Sequence, residues 1–502
     1  MPQEDTPPRP AVLRCAPMSD PSGTPRARLA SFACDSRVAG AVEVPTSKSI
    51  AQRAIAAALM ARGTTHIEGL PPSEDVLHAV RAARAAGAAF PSAARADDLL
   101  ETALVGRRGF GQLSGAPPRG DGEGSRPWCT LEVGESGTAA RLFTAAVALA
   151  RPAGSGAEIV PAGSLARRSS PALFKALERA GVGVERSSPN QPGSWPVLIT
   201  AAKPPAVLDL VHPTSSQEVS ALLMALAAHP EQRLLRVVGS IPSRGYVDIT
   251  VDVVTSFGGF VRSSPLASDD ASSAGEIFTV QGPLSAPDHS YAVEPDASSA
   301  AVALAAGALS GGAEVRIEGL GLRSHQPDVK VVQALAKFGC DTSASDHAAL
   351  VCVGEPTRGA AIDCSDMPDA APVLAAVGAF AALRGYGTTE LTGLGTLPGK
   401  ESSRIEVLAT GLRALGLDVL HDERSLTIRS CTTQQPATTG PIVLDACGDH
   451  RMAFAFALLS LFIDSIWVMG ADSVAKSWPR FWSSLARSGA KLRDDAEAPH
   501  IL

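Results

Sequence analysis

The chain has 502 residues, 45% apolar and 19% charged, long enough for about three domains with large cores and too apolar to be disordered. Aromatic residues make up 4% and the net charge is −7, which excludes a base-stacking surface and non-specific polyanion binding. Any anionic ligand must then be met by a local cluster of basic side chains. The 8 cysteines form no C-x-x-C pair and have no metal-ligand spacing with the 10 histidines, so scattered free thiols in a reducing compartment are expected.

Residues 1–28 are proline-rich without an apolar segment and read as a disordered leader, not a signal peptide. Beyond them, one pattern recurs six times: a helix-like run, a glycine, then a short β-rich run. The copies are Val80–Phe90, Ala176–Val184, Thr250–Val261, Val332–Thr342, Leu408–Val419 and Trp482–Leu492. Their glycines, Gly87, Gly181, Gly258, Gly339, Gly416 and Gly489, are expected left-handed helix ends. In phase with them runs a second pattern, a polar start and an Ala/Leu-rich helix, beginning at Ser47, Ser136, Ser215, Ala297, Asp369 and Asp449. Strands closing it include Thr65–Glu68, Leu234–Val238, Ala313–Glu318 and Ile466–Met469. Each module of roughly 80 residues holds two helices and several strands, and buries little unless packed on its copies. Segments 106–127, 263–275 and 430–441 read as inserted surface loops. The apolar stretch Met452–Ala471 is interrupted by Asp464 and reads as a buried helix followed by a strand rather than a membrane span.

Helix starts offer free N–H groups and a partial positive charge to phosphates and carboxylates. Any one polar cap is ordinary; what matters is its company. Pro45-Thr46-Ser47-Lys48-Ser49-Ile50-Ala51-Gln52-Arg53 places two cations at a helix start, where a lysine opposes the dipole unless an anion binds. Gly134-Glu135-Ser136-Gly137-Thr138 is a tight turn that lets a ligand approach backbone, and Thr214-Ser215-Ser216-Gln217 offers neutral hydrogen-bonding groups. Leu397-Pro398-Gly399-Lys400-Glu401-Ser402-Ser403-Arg404 is a charged loop entering a helix, and Asp449-His450-Arg451 puts three ionisable groups in one cap.

From about Val42 to Leu492 these motifs, in this order, resemble the 5-enolpyruvylshikimate-3-phosphate (EPSP) synthase family. Further matches are Tyr246–Thr250, Glu294–Ala300, Pro368–Ala371 and Ala475–Pro479. The resemblance implies a two-domain inside-out α/β barrel of six βαβαββ units, three per domain. An upper domain would span 47–293, and a lower one 29–46 with 294–502. It implies transfer of the enolpyruvyl group of phosphoenolpyruvate to the 5-hydroxyl of shikimate 3-phosphate with loss of phosphate, by a cytoplasmic monomer that uses no metal or organic cofactor. By resemblance Lys48, Ser49, Arg53, Ser215, Ser216, Gln217, Ser243, Tyr246, Asp369, Thr396 and Lys400 bind shikimate 3-phosphate. Lys48, Gly137, Thr138, Arg168, Gln217, Glu401, Arg404, Arg451 and Lys476 bind phosphoenolpyruvate. Glu401 is the candidate acid, Asp369 the candidate base, and Lys48 touches both substrates.

The ligands bring roughly −5 to −6. Seven proposed cations less Asp369 and Glu401 leave about +5, so the empty site is expected to be self-repelling. Thr46, Glu135, Ser169 and Thr396 depart from the family pattern. Glu135 puts a carboxylate where an anion should bind, an objection that pairing with Arg141 or another basic residue would answer. Leu142 replaces a proline beside Gly137 and bears on sensitivity to the family inhibitor glyphosate. The alternatives are a non-catalytic paralogue that binds a phosphorylated ligand, and UDP-N-acetylglucosamine enolpyruvyl transferase. RNA 3′-phosphate cyclase, which has similar repeats, is disfavoured by the low aromatic content and negative charge.

Overall fold

The computed structural model describes residues 28–88, 129–186, 194–266, 274–346, 349–430 and 440–493, together with the backbone of Ala11–Leu13 and Glu101–Leu104. Two sets of helices alternate along the chain. One set is α1 (Lys48–Met60), α3 (Gly137–Ala150), α5 (Ser216–Ala227), α7 (Ala297–Leu309), α9 (Ala371–Leu383) and α11 (His450–Ser460). The other is α2 (Glu74–Ala85), α4 (Pro171–Arg179), α6 (Gly245–Ser256), α8 (Val331–Lys337), α10 (Arg404–Ala414) and α12 (Phe481–Arg487). Helices of the first set are Ala/Leu-rich on all faces and are buried almost from end to end; those of the second bury one face. An all-round apolar helix must lie inside its domain, and alanine lets three of them approach closely.

The expected glycine ends are all present: Gly87, Gly181, Gly258, Gly339, Gly416 and Gly489 have φ of 105°, 82°, 76°, 96°, 80° and 107°. Side chains of Ser47, Ser136, Ser215, Asp296 and Asp449 cap the N-termini of α1, α3, α5, α7 and α11. Asp369 lies instead in a 3-10 turn, Pro368–Ala370, and α9 begins at Ala371.

Among the described residues six sheets share one plan, a parallel pair with one or two antiparallel strands beside it, and one of them carries an extra parallel edge strand. Val207–Val211 pairs parallel with Arg233–Val238, which pairs antiparallel with Gly275–Gln281, and that strand with Phe260–Leu266. The sheet of Thr130–Gly134, Gly156–Pro161, Val197–Thr200 and Gly183–Arg186 repeats this order, as does that of Ala361–Asp363, Thr389–Thr392, Leu426–Arg429 and Asp418–His421. Two modules take their leading strand from elsewhere in the chain. Gly40–Ala41, just before α1, pairs with Val315–Arg316 after α7; Tyr291–Ala292, just before α7, pairs with Ile67–Glu68 after α1. That exchange divides the chain into a continuous unit, Thr46–Glu294, and a discontinuous one, residues up to Pro45 with Pro295–Leu502. Each unit has its own apolar core around its three buried helices, α1, α3 and α5 in the first and α7, α9 and α11 in the second.

Three expectations change. Ala11–Leu13, within the expected leader, forms a parallel strand on Ile442–Leu444, because the edge of Ile442–Asp445 offers unpaired backbone groups; the rest of 1–27 lies outside the described residues. Of 263–275, Ser263–Leu266 and Gly275 belong to a hairpin rather than a loop, while 106–127 and 431–439 lie outside the described residues. Cys447 is disulfide-bonded, whereas Cys34, Cys129, Cys340, Cys352 and Cys364 are free thiols. The stretch from Met452 is the buried α11, then the strand Ile466–Met469; no helix among the described residues is long and apolar enough to cross a membrane.

Candidate active site

In the Thr46–Glu294 unit the motif residues gather at the N-terminal ends of the buried helices. Lys48, in the first turn of α1, is paired at 2.9 Å with Asp75 of α2. Sequence reasoning missed this acid, which stands 27 residues away in a different helix. Gln52, on the same face of α1, donates to the Asp75 carbonyl at 3.1 Å and to the Ser136 hydroxyl at 2.7 Å, tying α1 to the start of α3. Thr46, in place of the family glycine, donates its hydroxyl to the Gly69 carbonyl.

Arg53 is 1% exposed. Its guanidinium donates to Thr250 Oγ1 at 2.7 Å, to the Ser49 carbonyl at 2.8 Å, and to Ser220 Oγ and the Tyr246 carbonyl at 3.4 Å. All four partners are neutral oxygens, and burial pushes its pKa down to about 10. Tyr246 packs at the edge of the core, and Ser243, three residues before it, is held in the left-handed region at φ 52°. A non-glycine residue there is strained, the kind of cost found where a ligand must be met.

Gly137 opens α3 among three side chains. A Cβ there would stand 2.7 Å from Arg141 Nη1, 3.4 Å from Gln217 Oε1 and 3.5 Å from Arg168 Nη1. Arg141 donates to the Gly137 carbonyl and to Gln217 Oε1, both at 3.0 Å, while its buried Nε has no partner. Burial pushes the Arg141 pKa down to about 10, opposed by Glu218 and reinforced by Arg168. Thr138 follows in the first turn of α3. Ser215 and Ser216 begin α5 directly before Gln217, and the fully buried Glu218 accepts from the Thr214 N–H at 2.8 Å. Glu135 bonds to Ser164, not Arg141: its Oε2 accepts from the Ser164 hydroxyl at 2.7 Å and the Ser164 N–H at 3.2 Å.

In the discontinuous unit a second cluster forms around Arg404, 2% exposed at the start of α10. It binds Asp449 with Nε at 2.8 Å and Nη2 at 3.2 Å, Asp369 with Nη1 at 2.8 Å and Glu401 with Nη2 at 2.7 Å. Burial would lower its pKa, but Asp449, Glu401 and Asp369 together raise it. Asp369 also meets Lys400 and Arg451, each at 3.4 Å. Burial would push the Asp369 carboxyl up, yet Lys400, Arg451 and Arg404 hold it well below the usual range. Arg451 donates to Ser298 at 2.7 Å and leaves its buried Nε without a partner. Lys476 bonds to the Gly448 carbonyl at 3.0 Å, next to Asp449. The buried Thr396 hydroxyl, four residues before Lys400, has no partner.

The expected self-repulsion is corrected by these contacts. Asp75, Glu135, Glu218 and Asp449 join Asp369 and Glu401, so the cations are largely matched by carboxylates inside each unit. Arg53, by contrast, donates to four neutral oxygens. Its neighbours, Thr250 and Ser220, belong to the Tyr246–Thr250 motif and to the inner face of α5, and only the motif was visible in sequence.

The fold is that of solved enolpyruvyl transferases. EPSP synthase from Acinetobacter baumannii matches with a TM-score of 0.69 at 23% identity, over 93% of this chain and 100% of that one. The enolpyruvyl transferase NikO from Streptomyces tendae matches with a TM-score of 0.63 at 18% identity, over 94% and 99%. Proteins named 3-phosphoshikimate 1-carboxyvinyltransferase from Salmonella heidelberg and Enterobacter sp. (strain 638) are 30% and 31% identical over 456 residues, 90% of this chain and 96% of each relative. The family model of EPSP synthase (3-phosphoshikimate 1-carboxyvinyltransferase) matches residues 33–485, and the chain belongs to that family.

Proposed function

We propose that the chain transfers the enolpyruvyl group of phosphoenolpyruvate to the 5-hydroxyl of shikimate 3-phosphate and releases phosphate, a step of aromatic amino-acid biosynthesis. The observation that carries this reading is Arg53, a buried guanidinium whose hydrogen bonds all go to neutral oxygens. A charge kept in that state favours a ligand carboxylate.

In the Thr46–Glu294 unit, Ser215, Ser216, Gln217 and Ser243 take the phosphate of shikimate 3-phosphate, Arg53 its carboxylate, and Lys48 and Ser49 its neighbouring oxygens, with Tyr246 against the ring. Gly137, Thr138, Gln217 and Arg168 hold phosphoenolpyruvate there. In the other unit Asp369, Thr396 and Lys400 address the shikimate hydroxyls. Glu401, Arg404, Arg451 and Lys476 address phosphoenolpyruvate and stabilise charge on the tetrahedral intermediate and the departing phosphate. Arg404 bonds both candidate proton carriers, so one buried guanidinium orients the Asp369 and Glu401 carboxylates. Asp369, held ionised by three cations, accepts the hydroxyl proton as the oxygen adds to phosphoenolpyruvate, and Glu401, entering in its protonated form, protonates the methylene. In the elimination Glu401 takes a proton back from the new methyl group as the C–O bond to phosphate breaks, and Asp369 returns its proton to the departing phosphate.

Phosphate release measured with each substrate alone and with both tests the reaction: turnover is expected only with both, and its absence overturns the reading. Glu401→Gln should keep ligand binding and lose most turnover; unchanged turnover removes it from proton transfer. A cytoplasmic monomer is part of the same reading, and sedimentation with both ligands bound should give the mass of one chain.

A further inference from the structure

Glu135 is the part of the Gly137 cradle that works against an anion, and the surrounding chain is shaped to hold it. Gly163 has φ 50°, and a Cβ there would stand 2.5 Å from both Cδ and Oε1 of Glu135. Any side chain there would push this carboxylate out of its place, and the positive φ itself favours glycine. The next residue, Ser164, donates its hydroxyl to Glu135 Oε2 at 2.7 Å and accepts from Arg168 Nη2 at 3.1 Å. Arg168 Nη2 also donates to the Glu135 carbonyl at 3.3 Å. The guanidinium is thus bonded to the main chain of Glu135 directly and to its carboxylate through one hydroxyl.

This arrangement has a clear electrostatic effect. Nη1 of both Arg141 and Arg168 lies within 3.5 Å of the Cβ position of Gly137, and Arg168 depresses the Arg141 pKa. Two like charges so placed repel, and a carboxylate one hydroxyl away relieves the repulsion while fixing the Arg168 rotamer. The same negative charge opposes an incoming phosphate or carboxylate.

We propose that Glu135 is a positioning residue that orients Arg168 through Ser164 and offsets its charge, setting the phosphoenolpyruvate affinity of this chain below that of the same cradle without the carboxylate. The proposal rests on the functional reading above, which places phosphoenolpyruvate at Gly137 and Arg168. It separates charge from hydrogen bonding, so two variants should move one parameter in opposite directions.

Glu135→Gln keeps an acceptor for Ser164 and removes the charge. Its KM for phosphoenolpyruvate should fall about tenfold and become more sensitive to salt. Ser164→Ala keeps the charge and removes the hydroxyl that joins the carboxylate to Arg168, leaving the bond to the Glu135 carbonyl, so its KM for phosphoenolpyruvate should rise by about three- to tenfold. In both variants kcat and the KM for shikimate 3-phosphate should stay within about twofold, a split that a merely structural role would not produce. An unchanged or raised phosphoenolpyruvate KM in Glu135→Gln, or parallel movement of both KM values, overturns the proposal. Calorimetric Kd values for phosphoenolpyruvate on the same variants make this comparison without turnover. A wild-type chain that releases no phosphate therefore overturns the functional reading alone.

Discussion

Arg53 sits in α1 with its guanidinium on the hydroxyls of Thr250 and Ser220 and the carbonyls of Ser49 and Tyr246, and burial pulls its pKa down to about 10 from the ordinary arginine range. The charged form is therefore disfavoured in the folded state, by about 3 kcal/mol at neutral pH, a cost that fades only above about pH 10. Thr250 already bonds to Ser220 at 2.8 Å, so both hydroxyls keep a partner when the guanidinium goes. Arg53→Met should melt at or above the wild-type temperature without ligand, yet raise the KM for shikimate 3-phosphate about a hundredfold. A variant that loses several degrees and keeps its KM would refute this. Asp369 is the opposite case: its carboxyl is depressed in the fold, so its stabilisation is complete above about pH 4 and is lost as pH falls further. Asp369→Asn should be less stable than wild type at neutral pH, and urea midpoints should show the gap closing below about pH 4. The cations were legible because each lies in a short motif, and so were Asp369, Glu401 and Asp449; Asp75 and Glu218 were not. Asp75 is in the helix after Lys48, and Glu218 looks in sequence like one more residue of an apolar helix.

At the scale of elements, the second set of helices was the most legible feature, because a left-handed glycine end follows from local chemistry alone. The six glycines nevertheless differ in what surrounds them. Gly181 has φ 82° and nothing within 4 Å of its Cβ position, whereas at Gly489, φ 107°, a Cβ would stand 2.0 Å from the Arg37 carbonyl oxygen. Gly181→Ala should cost about 1–2 kcal/mol, the strain of the backbone conformation alone. Gly489→Ala must also push main chain aside and should cost at least about 3 kcal/mol. Thermal unfolding of the two variants checks the order, and equal losses would show that backbone conformation sets both. Strand partners were much less legible. Gly40–Ala41 and Tyr291–Ala292 are two residues long, too short for any alternation, and their partners lie more than 200 residues away.

For the whole molecule, that strand exchange makes one unit continuous and the other dependent on both ends of the chain. All three sheets and the apolar core of Thr46–Glu294 are built from its own residues. The other unit is completed by Leu29–Phe32, buried throughout, which pairs with Leu492–Arg493 and with the strand Ile466–Met469. Ser31 donates to the Ile466 carbonyl at 2.6 Å, and the Phe32 ring lies 5.0 Å from Trp482 and 6.0 Å from Phe481. Expressed separately, 46–294 should unfold cooperatively on heating, since it lacks nothing its core requires. The fragment 295–502 lacks both that strand and Gly40–Ala41, leaving one edge of Val315–Glu318 and one edge of Ile466–Met469 unpaired, although Ala349–Val353 and Ile442–Asp445 still hold their other edges. It should give no cooperative transition alone and gain one when a peptide of residues 28–45 is added, with a midpoint that rises with peptide concentration, as mass action requires. A sharp transition in 295–502 without the peptide would mean that the amino-terminal strands decorate this unit rather than complete it.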